Sequence, residues 1–230
     1  MLFKRDYSTP GPGIDPDEPE KFGFARFCEI FTLECRTMLK LNLMTLFACL
    51  PVITIPPALC AMNAVVRKMI LDEPVECSSD FRAAFAKYWK QSYLVFLLAT
   101  ILPLFTGAAS LAYAHMAVEN LLYFVPCILS LFTFVATMLA SSYLYPLLST
   151  GLPLGQCIKY AFILGIGKPL RAIPCFAINF GLMFLTVCFF PLSLPYLVLI
   201  GLSIPCLIGQ FFVRLNLRKF LSGRIIRPEE

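Results

Sequence analysis

Between residues 172 and 213 the chain runs 42 residues without a charged side chain. A bilayer's hydrocarbon core is about 30 Å thick, and an α-helix needs about 20 apolar residues to cross it. The run therefore reads as two spans, with the proline-bounded "PLSLP" at 191–195 as the turn between them. Residues 93–114 and 121–151 are two further uncharged runs of spanning length, the second long enough for a tilted helix. Residues 42–66 are also uncharged, but Pro51, Pro56 and Pro57 interrupt them in the middle.

Composition agrees with this pattern. Hydrophobic residues make up 59% and charged residues 14%, against about 25% charged in a soluble domain. The mean hydropathy is +0.78, and Pro and Gly are tolerated better in membrane helices than in soluble ones. The net charge of +5 does not call for a nucleic-acid partner, because no basic block alternates with aromatic residues. It belongs instead to the sided distribution of Lys and Arg expected of a membrane protein.

Six of the 19 basic residues lie in 1–40, five in 67–90, three in 150–171 and five in 214–230. The breaks at 115–120 and 191–195 hold none. Short loops rich in Lys and Arg stay cytoplasmic, so all four basic regions are expected inside. Both flanks of 42–66 then lie on one side, and the stretch becomes a hairpin with "LPVITIPP" at its tip. Its arms, 41–50 and 58–66, are each too short to cover the hydrocarbon core at about 1.5 Å per residue. Each arm crosses only by extending into its flanking helix, with Arg36, Lys40 and Arg67 snorkelling to the surface. That is the favoured expectation; a re-entrant hairpin is the alternative.

The expected fold is an all-α polytopic membrane bundle. It has about six membrane segments arranged as three hairpins, at 28–50, 57–71, 92–114, 121–149, 172–190 and 195–214. Both termini lie inside, and cytoplasmic amphipathic surface helices lie around 80–90 and 153–167. In the first of these, "DFRAAFAKYWK", Phe81, Phe85 and Trp89 recur every four residues on one face. The likeness of "AAFAKYWKQSYL" to "YAFILGIGKPLRAI" hints at a repeated unit. Residues 1–23 lack the basic start and prompt apolar core of a signal peptide and read as a flexible cytoplasmic leader. Residues 24–218 then form a single membrane domain, and 219–230 a cytoplasmic tail.

Materials for catalysis are sparse. The ten cysteines contain no C-x-x-C pair, and no His stands near them at ligand spacing. Most fall in apolar runs, where a thiol packs as a small side chain. Cys49 and Cys60 flank the proline turn, and whether they pair is open at the sequence level. His115 and Glu119 are one helical turn apart, and a solvated turn is preferred over an acid–base or metal pair. No H-E-x-x-H, Walker A, G-x-S-x-G or G-x-G-x-x-G motif occurs. No catalytic, metal or cofactor site is expected.

Polar residues inside the spans carry the remaining information. Asn42, Thr45 and Thr54 lie in the first hairpin, Asn63 and Arg67 at helical spacing on its return arm. Asn179 lies in the fifth segment, and Gln210 and Arg214 near the end of the sixth. Such groups are costly in lipid and face the bundle interior. They serve either as a sugar-binding site or as the hydrogen bonds that hold membrane helices together. The second reading is preferred. No Asp or Glu lies deep in a span between 93 and 213, which argues against a proton-coupled carrier. Pro103, Pro126, Pro146, Pro174 and Pro205 fall in separate apolar segments and can kink them.

The order of L-x-L-N-L at 39–43, then "CLPVITIPPA", then a basic end and F-x-x-A-F-x-K-x-x-K-Q-S resembles the YesL-like family of small bacterial integral membrane proteins. Asn42, Leu50, Pro51, Thr54, Ala58, Ala61 and Phe85 carry the resemblance, with Lys90 and Gln91 ahead of the next span. The likeness in length and hydropathy covers nearly the whole chain, while the motif is confined to about 36–92. The ten cysteines and the Pro-rich leader depart from the family pattern. The resemblance implies a bacterial plasma-membrane location and an association with carbohydrate uptake systems. It supplies no catalytic residue. The expected role is a non-enzymatic accessory or structural subunit in the lipid bilayer, packing with a carbohydrate importer, other membrane proteins or a second copy of itself. A sugar-like permease is the alternative, and an intramembrane enzyme comes third.

Overall fold

The computed structural model describes residues 24–167 and 169–221, and every regular element among them is helical. The expected leader at 1–23 and the last residues of the tail, 222–230, lie outside the described residues. In chain order the helices are α1 (Phe24–Ala48), α2 (Ile55–Ile70), α3 (Cys77–Phe96), α4 (Leu102–Glu119), α5 (Phe124–Leu148), α6 (Leu154–Gly167), α7 (Pro169–Cys188), the single turn α8 (Leu194–Tyr196) and α9 (Ser203–Leu221).

The first hairpin turns on its prolines. Pro51 is extended (φ −77°, ψ 120°) and ends the run of α1. Pro56 and Pro57 sit in the first turn of α2, where a missing N–H leaves no helical bond unmade. Thr54 closes the loop, its Oγ1 donating to Pro51 O at 2.6 Å and to Ala48 O. Cys49 and Cys60, on either side of this loop, are both free thiols. α2 is the core helix: Ala58, Ala61, Val65 and Val66 are wholly buried, and Met62, Met69 and Ile70 nearly so.

α3 lies along α2 and buries Cys77, Phe81, Ala84, Tyr88, Ser92 and Val95, the three-and-four spacing of a single helical face. Phe81 is thus a core residue, and the row Phe81–Phe85–Trp89–Tyr93 climbs from it with ring centroids 6.2, 5.2 and 5.9 Å apart. The separate surface helix expected around 80–90 does not exist. Nothing between Lys90 and Tyr93 breaks a helix, so one continuous helix of 42 residues runs from Cys77 to Val118. His115 likewise stays helical; the break falls at Asn120, whose Oδ1 accepts from Leu122 N at 3.0 Å.

Two irregularities interrupt the long helices, and both precede a proline. The π turn Leu97–Ile101 lies ahead of Pro103, and the π turn Leu197–Gly201 ahead of Pro205. Proline has no N–H to give the carbonyl four residues back, and its ring crowds that carbonyl. The helix relieves this by widening; Leu102 N–H reaches Leu97 O, five residues back.

α6 packs across α5 at close range. A Cβ on Gly165 would stand 2.9 Å from Ala140 N and 3.1 Å from its Cα. The segment 154–167 packs one face through Cys157, Ala161, Leu164 and Gly165 and leaves Gln156, Lys159, Ile163 and Ile166 exposed, and it meets Ala172–Cys188 at a bend of 101°. The earlier counterpart, α3, runs on into α4 as one helix. The two halves therefore differ in geometry, and the sequence likeness between them reflects no repeat of form.

Three stretches are long and apolar enough to cross a membrane: Val52–Ile70, Cys77–Val118 and Leu121–Leu148. The number rises to five if each bent pair, Leu154–Gly167 with Ala172–Cys188 and Leu194–Gly201 with Ser203–Arg214, is one span. Large apolar side chains on α4 and α5, among them Leu104, Phe105, Leu111, Leu129 and Phe132, face outward. This is the outward-apolar surface of a helical membrane protein.

Gly165→Leu is expected to destabilise the protein by about 1–3 kcal/mol through overpacking, seen as a lower unfolding midpoint in mild detergent. Gly155→Ala, where an added Cβ meets nothing within 4 Å, should leave the midpoint in place.

Candidate functional site

Asn42 is the most heavily engaged polar side chain in the interior. It is fully buried and faces the break between α8 and α9, where the helix bends by 42°. Its Nδ2 donates to Leu197 O and Val198 O, both at 2.8 Å. Its Oδ1 accepts from Leu202 N at 3.0 Å and Ser203 N at 3.2 Å. In an unbroken helix those two N–H groups would bond to carbonyls four residues back. One amide side chain on α1 replaces the ladder that the π turn opened.

A second polar contact joins three helices two turns farther along α9. Gln210 Nε2 donates to Asn63 O at 3.1 Å, Asn63 Oδ1 at 3.2 Å and Ser149 Oγ at 2.8 Å. Asn63 Nδ2 donates to Leu59 O at 2.9 Å, and Ser149 Oγ to Pro146 O at 2.7 Å. Arg67 Nη1 reaches Ser149 O, just past the last residue of α5, at 3.0 Å. Arg214 Nη1 bonds Ile70 O, the last residue of α2. Each arginine thus seals the C-terminal end of a neighbouring helix, where unpaired carbonyls carry partial negative charge. Lys68 pairs with Asp80 at 2.7 Å beside them.

The remaining sequence-chosen residues do not join these contacts. Thr54 is spent on the tip loop, and Thr45 Oγ1 donates to Leu41 O in its own helix at 2.8 Å. Asn179, half-buried on α7, donates weakly to Cys175 Sγ at 3.8 Å. It lies beside Gly209, and its Oδ1 has no partner among the described residues. Tyr145 and Tyr196 are in the same position at their hydroxyls. So Asn63, Arg67 and Gln210 come together, while Asn42 and Asn179 occupy separate helix contacts.

Sequence reasoning missed Ser149 and the Leu197–Ser203 backbone. A serine at the end of an apolar run carries no signal of its own, and a backbone partner carries none at all. Pro205 was the available clue to the second, since it foretells a disturbed turn ahead of it. His115 is exposed on α4. Among the described residues no three His, Cys, Asp or Glu side chains stand close enough to hold a metal ion. The arrangement can bind helix to helix and satisfy broken backbone; it presents no acid, base or nucleophile constellation.

Asn42→Leu orphans two N–H groups and is expected to cost on the order of 3 kcal/mol, at about 1–3 kcal/mol per buried unsatisfied group. Gln210→Met removes a donor from acceptors of which Ser149 Oγ keeps its own bond, and should cost about 1 kcal/mol. Unfolding midpoints of the two variants in the same detergent order them; a milder effect at Asn42 would contradict the clamp.

The model of a family described as "Protein of unknown function, DUF624" matches residues 38–108. That segment runs from the half of α1 bearing Asn42, through the proline tip, α2 and α3, to the first turns of α4. It coincides closely with the stretch that carries the YesL-like resemblance. No curated protein and no solved structure matches the chain. Over residues 38–108, then, the chain is similar to a family whose role is not established.

Proposed function

We propose that this chain is a non-enzymatic integral membrane protein of the bacterial plasma membrane that acts as an accessory or structural subunit. It packs against other membrane proteins, with a carbohydrate importer as the foremost partner. Its termini and its basic segments lie on the cytoplasmic side, and its membrane segments pair as three hairpins.

The observation that supports the reading is the use made of the interior polar groups. Asn42 is taken up by four backbone groups and Gln210 by three acceptors on α2 and α5. A permease needs such side chains to converge on a shared space and offer free donors to a solute. Here two separate contacts bind helices together, which favours the structural role over the sugar-like permease. The family-model match adds no activity of its own.

Purification of the native complex in mild detergent is the decisive experiment. A membrane protein co-eluting at fixed stoichiometry is the expected result. A chain that elutes alone and moves labelled sugar into vesicles after reconstitution would replace this reading with the permease.

A further inference from the structure

The first hairpin ends far short of the second. Tyr93 Oη donates to Ile53 O, at the α1–α2 tip, at 2.9 Å. From Tyr93 the same helix continues to Val118, about 25 residues and about 37 Å at about 1.5 Å each. α5 returns beside it, with Thr106 Oγ1 3.2 Å from Thr137 Oγ1 and the Phe134 ring against Gly107. The α4–α5 hairpin therefore extends well beyond the level at which α1 and α2 turn.

The level occupied by α2 is also the wrong place for hydrocarbon. The Val52–Ile70 segment has 19 residues, about 28 Å of helix, so that length by itself does not decide against a core of about 30 Å. α2 lies alongside α3, whose outward face carries Arg82, Lys87, Lys90 and Gln91, all exposed. Three cations on one lipid-facing surface would cost about 2.5–3.5 kcal/mol each at the centre of a bilayer. Trp89 lies among them, and past Gln91 on the same helix the exposed residues change to Leu94, Leu97, Ile101, Leu104 and Phe105. Cations with an aromatic residue among them give way to aliphatic side chains along one helix, as on passing from headgroups into the chains. Burial agrees: 61% of the Val52–Ile70 window is buried inside the protein, against 17% and 11% for the other two candidate spans.

We infer that the α1–α2 hairpin is re-entrant. It enters the leaflet from the basic side only as far as the Trp89–Tyr93 level, and α4–α5 is the hairpin that crosses. Leu50, Val52 and Ile53, exposed by 76, 78 and 69%, then insert among the lipid chains nearest that surface. Arg82, Lys87 and Lys90 meet the phosphates of the same leaflet. This rests on the membrane character of the chain and is independent of the accessory role.

The test compares the two hairpin tips in intact cells. In a cysteine-free background, Asn120→Cys is expected to react with a membrane-impermeant maleimide from outside, and Ile53→Cys to remain unlabelled until the membrane is permeabilised. Labelling of both from outside overturns the inference. If the cysteine-free protein does not fold, the single native tryptophan offers a second route with all cysteines kept. With Trp89→Phe, a tryptophan placed by Leu121→Trp should be quenched by iodide added to the far side of oriented vesicles. One placed by Ile53→Trp should not, and quenching of both from the far side again refutes the re-entrant hairpin. Co-purification or transport results leave this readout unchanged, so it stands or falls apart from the proposed function.

Discussion

Away from water, a backbone N–H or C=O that loses its helical partner has only protein to turn to. This constraint sets the terms for the whole bundle, because prolines interrupt so many of its helices. At the α8–α9 break the demand is greatest: a 42° bend and a π turn leave two donors and two acceptors open. Asn42 meets all four. Asparagine suits the task because its amide carries two donor hydrogens and an oxygen with two lone pairs on a short stem. The contact joins the first helix to the last, so closing the bundle and healing its break are a single event.

The basic end of the bundle follows a related rule. Arg67 and Arg214 reach across to the ends of α5 and α2, so the open carbonyls of these two helices are each met by a cation from another helix. A guanidinium does this well, since its donors are held in a fixed fork and its charge suits the negative end of a helix. Gln210, between the two arginines, ties α9 to α2 and α5 through donors alone. Residues 38–108 contribute Asn63, Arg67 and Ile70 to these contacts, and their partners Ser149, Gln210 and Arg214 lie outside that segment.

Much of this was legible from the chain. The helical membrane class follows from uncharged runs whose length matches a bilayer. The proline tip at 51–57 and the turn around 191–195 follow from residues that cannot continue a helix. Asn42, Asn63, Arg67 and Gln210 stood out because polar side chains in apolar runs must be satisfied somewhere. Other features were hidden. The union of α3 with α4 was misread because charge changes at Lys90 while backbone propensity does not. A shift from polar to apolar surface marks a change of surroundings, and a helix passes through it unbroken.

What the sequence determined by itself is therefore the material of the fold: helices of membrane length, hinges at proline, cations confined to four segments, and a short set of interior polar side chains. Only the tertiary structure decided what those side chains hold. The partners of Asn42 are backbone groups 155 to 161 residues away, and no side chain there announces them. Periodicity and composition report which face of a helix is apolar, a local property. Which helix lies opposite, and how deep one hairpin reaches beside another, depend on contacts between distant segments, and these exist only once the chain has packed.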